Sequence, residues 1–361
     1  MPKVSVVMPS LNVRPYIEEC MDSVIRQTLK DIEILCVDAG STDGTLEVLR
    51  GYAERDSRVR VIVSDRKSYG YQMNLGIEAA AGEYLGIVET DDYIAPEMYE
   101  QLYAAAKAQA LDIVKADYTV FTGEGPERQF IPCRIAGSRD QYGRVLCPSV
   151  ERKAFFNTLY TWSGIYRTAF LKENGIRHNE TPGASYQDNG FWFQTFALAE
   201  RLCYVPKRYY YLRRDNLASS VFARNKVFAE CVEYDFIRDF LRLHPELEPS
   251  LAPVCAYHRC RNYFGTLERI GEEDKNAFLE RFASDFRQIE AAGELDRELF
   301  SRREWNALCA IMERPEAYFA LKKEKTLPGM SRSRLEGGLR CLKEHGLRYT
   351  VKYVLNGGRQ A

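Results

Sequence analysis

Up to about residue 220, short β-branched and aliphatic runs alternate with segments whose apolar residues recur at helical spacing. Val4 to Met8, ended by Pro9, reads as a buried strand, and Ile17, Cys20, Met21, Val24 and Ile25 then mark one face of a helix. The pair repeats. Ile32 to Val37 is a second strand, and the turn Asp38-Ala39-Gly40-Ser41-Thr42-Asp43-Gly44 leads into a helix through Leu46, Val48 and Leu49. Arg58 to Ser64 predicts a third strand, Tyr71 to Ala81 a third helix and Gly82 to Val88 a fourth strand. Strands and helices alternating at this spacing call for parallel pairing with right-handed crossovers.

A helix is expected from about Pro96 to Ala110 and a strand from Ile113 to Phe121. From Thr122 to about Ala154 the periodicity fades and the segment reads as irregular. Trp162 to Tyr166 predicts a strand and Thr168 to Lys172 a short helix ended by Gly175. Gln187-Asp188-Asn189 heads an aromatic helix, Phe191 to Ala199, and Cys203 to Leu212 forms a strand that ends in Arg213-Arg214. Beyond Val221 the pattern is helical: Val227 to Leu243, Leu251 to Ile270, Ala277 to Ala291 and Arg303 to Glu313. Two domains are expected, an α/β domain over 1–220 and a helical C-terminal region over 221–361.

The 50 Lys and Arg against 51 Asp and Glu leave a net charge of −1, so no global field points to nucleic acid. The average hides an asymmetry. Residues 322–361 hold ten Lys and Arg against three Glu, a net +7, with apolar residues interleaved. Such a tail suits peripheral contact with an anionic membrane surface, or a helix packed on the body. The chain opens without a signal peptide, and no apolar run nears the ~18 residues of a membrane span, so a cytoplasmic protein is expected. The ten cysteines and four histidines do not sit at zinc spacing, and buried thiols are expected.

The candidate chemistry gathers after the fourth strand, where Tyr84 to Val88 runs into Glu89, Asp91 and Asp92. The carboxyl ends of strands are where open α/β sheets bind ligands. Two carboxylates there can hold Mg²⁺ or Mn²⁺ while phosphate oxygens fill its other positions. An acidic helix cap before Pro96 is the plainer alternative.

Four stretches, Val4-Ser-Val-Val-Met-Pro-Ser-Leu-Asn12, Val37-Asp-Ala-Gly-Ser-Thr-Asp-Gly44, Gly82-Glu-Tyr with Glu89-Thr-Asp-Asp92, and Gln187-Asp188, in this order resemble the family 2 glycosyltransferases. The resemblance covers about residues 1 to 220. It implies a GT-A fold, with a Rossmann-like, mostly parallel sheet flanked by helices. It also implies an inverting, metal-dependent transfer of a sugar from a nucleoside diphosphate donor, UDP-linked in most of the family, to a saccharide or lipid-linked acceptor. Asp92 with Asp91 then matches the Mn²⁺ or Mg²⁺ position and Asp188 the general base. Pro9, Asn12, Asp38, Ala39, Met73, Asp91, Arg213 and Arg214 match donor-contacting positions. The base pocket departs from the family at Leu11, Ala39 and Met73, which lack the usual ring, acid and Arg and put the donor's base in question. The competing reading is a catalytically silent GT-A domain kept as a scaffold. A dinucleotide oxidoreductase is disfavoured because no Gly-x-Gly-x-x-Gly follows Met8.

Overall fold

The structure, a computed structural model, describes residues 1–216 and 226–319. The chain divides into two compact units, Met1–Ala218 and Ser219–Ala361. The basic segment 322–361 lies outside the described residues.

In the first unit the alternation of the sequence becomes a mixed sheet. Its strands are β1 (Val4–Ser10), β2 (Ile32–Asp38), β3 (Val59–Val63), β4 (Tyr84–Ile87), β5 (Tyr93–Ile94), β6 (Ile113–Thr122), β7 (Gln129–Cys133), β8 (Val145–Leu146), β9 (Gly164–Arg167) and β10 (Leu202–Arg213). The order is β3-β2-β1-β4-β9-β6-β10-β5, with β7 beside β6 and β8 beside β10. Helices α1 (Ile17–Ile25), α2 (Thr45–Arg55), α3 (Tyr69–Ala79), α4 (Met98–Ala108), α5 (Thr168–Glu173) and α6 (Gln187–Leu198) complete the unit. All seven residues of β1 are buried, as a run without polar alternation requires of a strand covered on both faces.

β1, β2, β3 and β4 pair in parallel, as the alternation predicts. β9 does not. It runs antiparallel to both β4 and β6. A parallel neighbour needs a helical crossover, and between β6 and β9 the chain offers only 3₁₀ turns and the strands β7 and β8. The segment read as irregular thus contains two strands, each placed by a partner elsewhere, β7 by β6 and β8 by β10. Because β9 opposes both neighbours, β6 and its parallel partner β10 point the same way as β4. The carboxyl ends of β1, β2, β4, β6 and β10 therefore share one edge, and α3 and α6 begin beside it.

The second unit is helical: α7 (Ala229–Leu243), α8 (Glu248–Arg269), α9 (Glu272–Ala291) and α10 (Arg302–Glu313), the last opened by a capping box between Ser301 and Glu304. Its core holds Tyr263, Phe264, Phe278, Phe282 and Phe286 around Arg259, which is fully buried and bonded to Tyr263, Asp235 and Asp285. Among the described residues no helix is long and apolar enough to cross a membrane. The nine cysteines described form no disulfide.

Candidate active site

β4 delivers its acidic turn to this shared edge, and β10 holds it there. Asp92 is 2% exposed. Its Oδ1 accepts from the Arg213 amide at 2.6 Å and its Oδ2 from the Tyr210 hydroxyl at 2.8 Å. Tyr210 also accepts from the Glu89 amide at 3.0 Å, and the Arg213 Nε donates to the Asp91 carbonyl at 3.0 Å. Burial, then the charge of Asp91, pushes the Asp92 carboxyl well above its usual range. Both oxygens of Asp92 are thus engaged inside the protein. Asp91 is half-buried, and its Oδ2 accepts from Asn216 at 2.8 Å.

Glu89 takes a 2.7 Å hydrogen bond from the Tyr69 hydroxyl. Burial drives its carboxyl up to about 8, the Tyr69 bond opposes this, and the charges of Asp91 and Asp188 add to the rise. Asp188 therefore lies within electrostatic reach of the turn, although the two are nearly a hundred residues apart in sequence. It occupies the first turn of α6, after Tyr186 in the left-handed region at φ 66°. Burial raises its carboxyl, and its own amide and that of Asn189 oppose the shift. Strained non-glycine backbone of this kind gathers at functional sites.

The loop that carries Asp188 is pinned by α3. Tyr69 N donates to the Gly183 carbonyl at 2.9 Å, and the Asn74 amide group clasps both backbone atoms of His178. Gly70 permits the contact, since a Cβ there would sit 1.8 Å from the Asn179 carbonyl oxygen.

The expected donor contacts separate into two groups. Asp38 is wholly buried and accepts from Gly40 N, Ser41 N and Ser41 Oγ of its own turn and from Ser10 Oγ at the end of β1, which uses its acceptor capacity inside the protein. Met73 and Ala39 are 0% and 3% exposed and Pro9 is buried in β1, so these three form the underside of the edge. Asn12 stays exposed at φ 54°, with its Oδ1 accepting from Thr42 N. The Arg213 guanidinium lies against Tyr16 and Phe121 and pairs with Glu19 at 2.8 Å, a carboxylate that Arg128 also grips with two bonds. Arg214 donates to the Tyr160 hydroxyl at 2.7 Å.

Sequence reasoning missed Tyr210, Asn216 and Glu19. Only the run Tyr209-Tyr210-Tyr211 in a strand hinted that one hydroxyl would face inward.

The donor set suits a hard cation in one respect: Glu89 and Asp91 present oxygen ligands, and Asp91 Oδ1 has no protein partner among the described residues. No group of three metal-ligating side chains occurs among the described residues. The remaining ligands of an Mg²⁺ or Mn²⁺ ion would be phosphate oxygens and water, as Mg²⁺ ordinarily takes them.

Residues 5–170 match the family described as Glycosyl transferase family 2. The chain is 32% identical over 218 residues to the uncharacterized glycosyltransferase EpsJ of Bacillus subtilis, covering 59% of this chain and 62% of that protein. It is 26% identical over 241 residues to the cholesterol galactosyltransferase of Borreliella burgdorferi, covering 62% and 64%. The chain thus spans about three fifths of the length of these relatives. Among solved structures it shares its fold with S. aureus TarS 1-349 in complex with UDP-GlcNAc, at a TM-score of 0.63 and 19% identity over 90% of this chain and 91% of that one.

Proposed function

Residues 5–170 form a family 2 glycosyltransferase domain, and from that premise we propose that the chain transfers a sugar from a nucleoside diphosphate to a hydroxyl acceptor. The reaction is inverting and metal-dependent, and serves cell-surface polysaccharide or glycolipid assembly at the inner face of the plasma membrane. One observation carries this reading: Asp91, in the turn after β4, and Asp188, at the start of α6, both come within electrostatic reach of Glu89 at the ligand-binding edge of the sheet. The relatives named for glycosyl transfer and the TarS complex with UDP-GlcNAc support a nucleotide-sugar donor, UDP-linked in the first instance.

Asp188 is the general base. Burial raises its proton affinity, and the two backbone amides at the head of α6 oppose that rise. Asp91, with Glu89 beside it, holds the cation. We give Asp92 a supporting role beside Asp91, since Tyr210 and the Arg213 amide each bond one of its oxygens. When bound, Mg²⁺ or Mn²⁺ supplies positive charge against the leaving diphosphate. Arg214, at the end of β10, is the cationic side chain left to face the donor phosphates, since Arg213 is committed to Glu19.

Asp188→Asn keeps the shape of the side chain and its capping oxygen but cannot take a proton. Transfer is expected to fall ~10²- to 10⁴-fold while nucleotide affinity and melting temperature hold. Transfer at the native rate would remove Asp188 from the mechanism. The silent-scaffold reading draws support from the saturated Asp38 and the committed Arg213. Hydrolysis of a UDP-sugar in Mn²⁺ separates it from the enzyme.

A further inference from the structure

Lys115 is the third residue of β6 and is 1% exposed. No carboxylate forms an ion pair with it among the described residues, and burial alone drives its pKa well below that of an ordinary lysine. A buried amine with no carboxylate beside it is costly unless its polar atoms find hydrogen-bond partners. Its Nζ bonds three neutral oxygens, the carbonyls of Tyr160 at 2.6 Å and Thr161 at 2.9 Å and the Tyr166 hydroxyl at 3.0 Å. The neighbouring strand makes room for it. Gly164 is its register partner on β9, and a Cβ there would meet the Val114 carbonyl oxygen at 2.0 Å and the Lys115 Cδ at 3.0 Å.

What Lys115 adds is a fixed backbone at residues 160–161, just before Trp162. The Trp162 ring stacks on Tyr160 at 4.5 Å and on Tyr210 at 4.1 Å, with planes 18° and 22° apart. Tyr210 is the residue whose hydroxyl joins Asp92 to the Glu89 amide. At the outer end of the stack the Tyr160 hydroxyl receives Arg214.

We propose that Lys115 is a positioning residue of the active site: by holding the carbonyls of Tyr160 and Thr161 it seats the Tyr160–Trp162–Tyr210 stack, and through Tyr210 it sets the turn that presents Glu89 and Asp91. The inference rests on the reading of that turn as the cation and donor site. Outer groups that orient metal-binding carboxylates commonly change affinity by about 10- to 100-fold when removed.

Lys115→Met keeps the stem and removes the amine. The test is made on the full chain, with UDP and GDP affinity measured in Mn²⁺ and in EDTA, near-UV circular dichroism for the stack, and far-UV melting for the fold. The Mn²⁺-dependent gain in nucleotide affinity is expected to drop by about tenfold or more. Affinity in EDTA should be unchanged, the near-UV signal altered and melting still cooperative. A lowered melting temperature with the Mn²⁺ gain intact would make Lys115 merely structural and overturn the proposal. If Lys115→Met does not fold, Trp162→Leu, which removes the middle ring and keeps Lys115, takes its place: loss of the Mn²⁺ gain supports the proposal, and an intact gain overturns it. A native chain that binds neither nucleotide in Mn²⁺ sinks the donor-site reading itself, an outcome distinct from a native gain that survives in the variants.

Discussion

Asp91 and Asp92 are adjacent in sequence and opposite in setting. Asp92 satisfies a backbone amide and a tyrosine hydroxyl inside the protein, whereas Asp91 keeps an oxygen towards the edge. Asp91→Asn is therefore expected to remove most of the Mn²⁺-dependent part of nucleotide affinity, by about tenfold or more, with little change in melting temperature. Asp92→Ala should instead cost about 1–3 kcal/mol of stability, since it strands two buried donors. Calorimetric titration beside denaturant unfolding reads both, and equal effects of the two changes on affinity would refute the division. No pattern in Glu-Thr-Asp-Asp distinguishes the two aspartates, because the partners that bury Asp92 lie 118 and 121 residues further along. Glu89 adds a pH effect. Its carboxyl rises from 4.5 to about 8 on folding, so the folded state binds that proton more tightly than the unfolded chain. The stability this contributes is complete below pH 4.5 and is lost as pH climbs to about 8. Glu89→Gln, neutral throughout, should match the native chain at pH 4.5 in EDTA and exceed it at pH 8.5. The gap should grow by at most roughly 1.4 kcal/mol per pH unit of that window. Urea titrations across the range check it, and a gap independent of pH would exclude the proton uptake.

Among the elements, α3 acts as a clasp on the loop that leads to Asp188. Gly70→Ala would drive a Cβ into the Asn179 carbonyl oxygen, an atom of backbone that cannot rotate away. A loss of about 1–3 kcal/mol is expected, together with slower transfer, because the loop 178–183 must shift and carry the head of α6 with it. Scanning calorimetry with a transfer assay tests this, and unaltered melting would show that the loop is not clasped. α3 also shows where sequence reading stops. Gly70, Gln72, Met73, Asn74, Gly76 and Ile77 are all buried, so the helix has no clear polar face, and the apolar period places Met73 no better than chance in a base pocket. The strands β1, β2, β3 and β4 were legible because each is a β-branched or apolar run bounded by Gly, Pro or Asp. β5, β7 and β8 were not, being only two to five residues long and held by β6 and β10 rather than by their own propensity.

At the scale of the whole molecule, the neutral average of the chain conceals a +7 segment over residues 322–361. At roughly 1 kcal/mol per basic residue near an anionic surface, part of that charge suffices for attachment. Truncation before Lys322 is expected to abolish co-sedimentation with phosphatidylserine vesicles and leave nucleotide affinity unchanged, and added salt should mimic the truncation. Vesicle binding that survives the truncation would place the contact elsewhere. The bonds that fasten the acidic turn span 118, 121, 122 and 125 residues of chain. A ribosome therefore makes the carboxylates of β4 long before it makes the strand that sequesters them. Until β10 has emerged and paired with β6, Asp92 lacks both of its donors. A nascent or prematurely ended chain that stops short of Tyr210 leaves the Asp92 carboxylate without the hydroxyl and the amide that hold it, so the turn proposed to bind the cation is completed only late in synthesis.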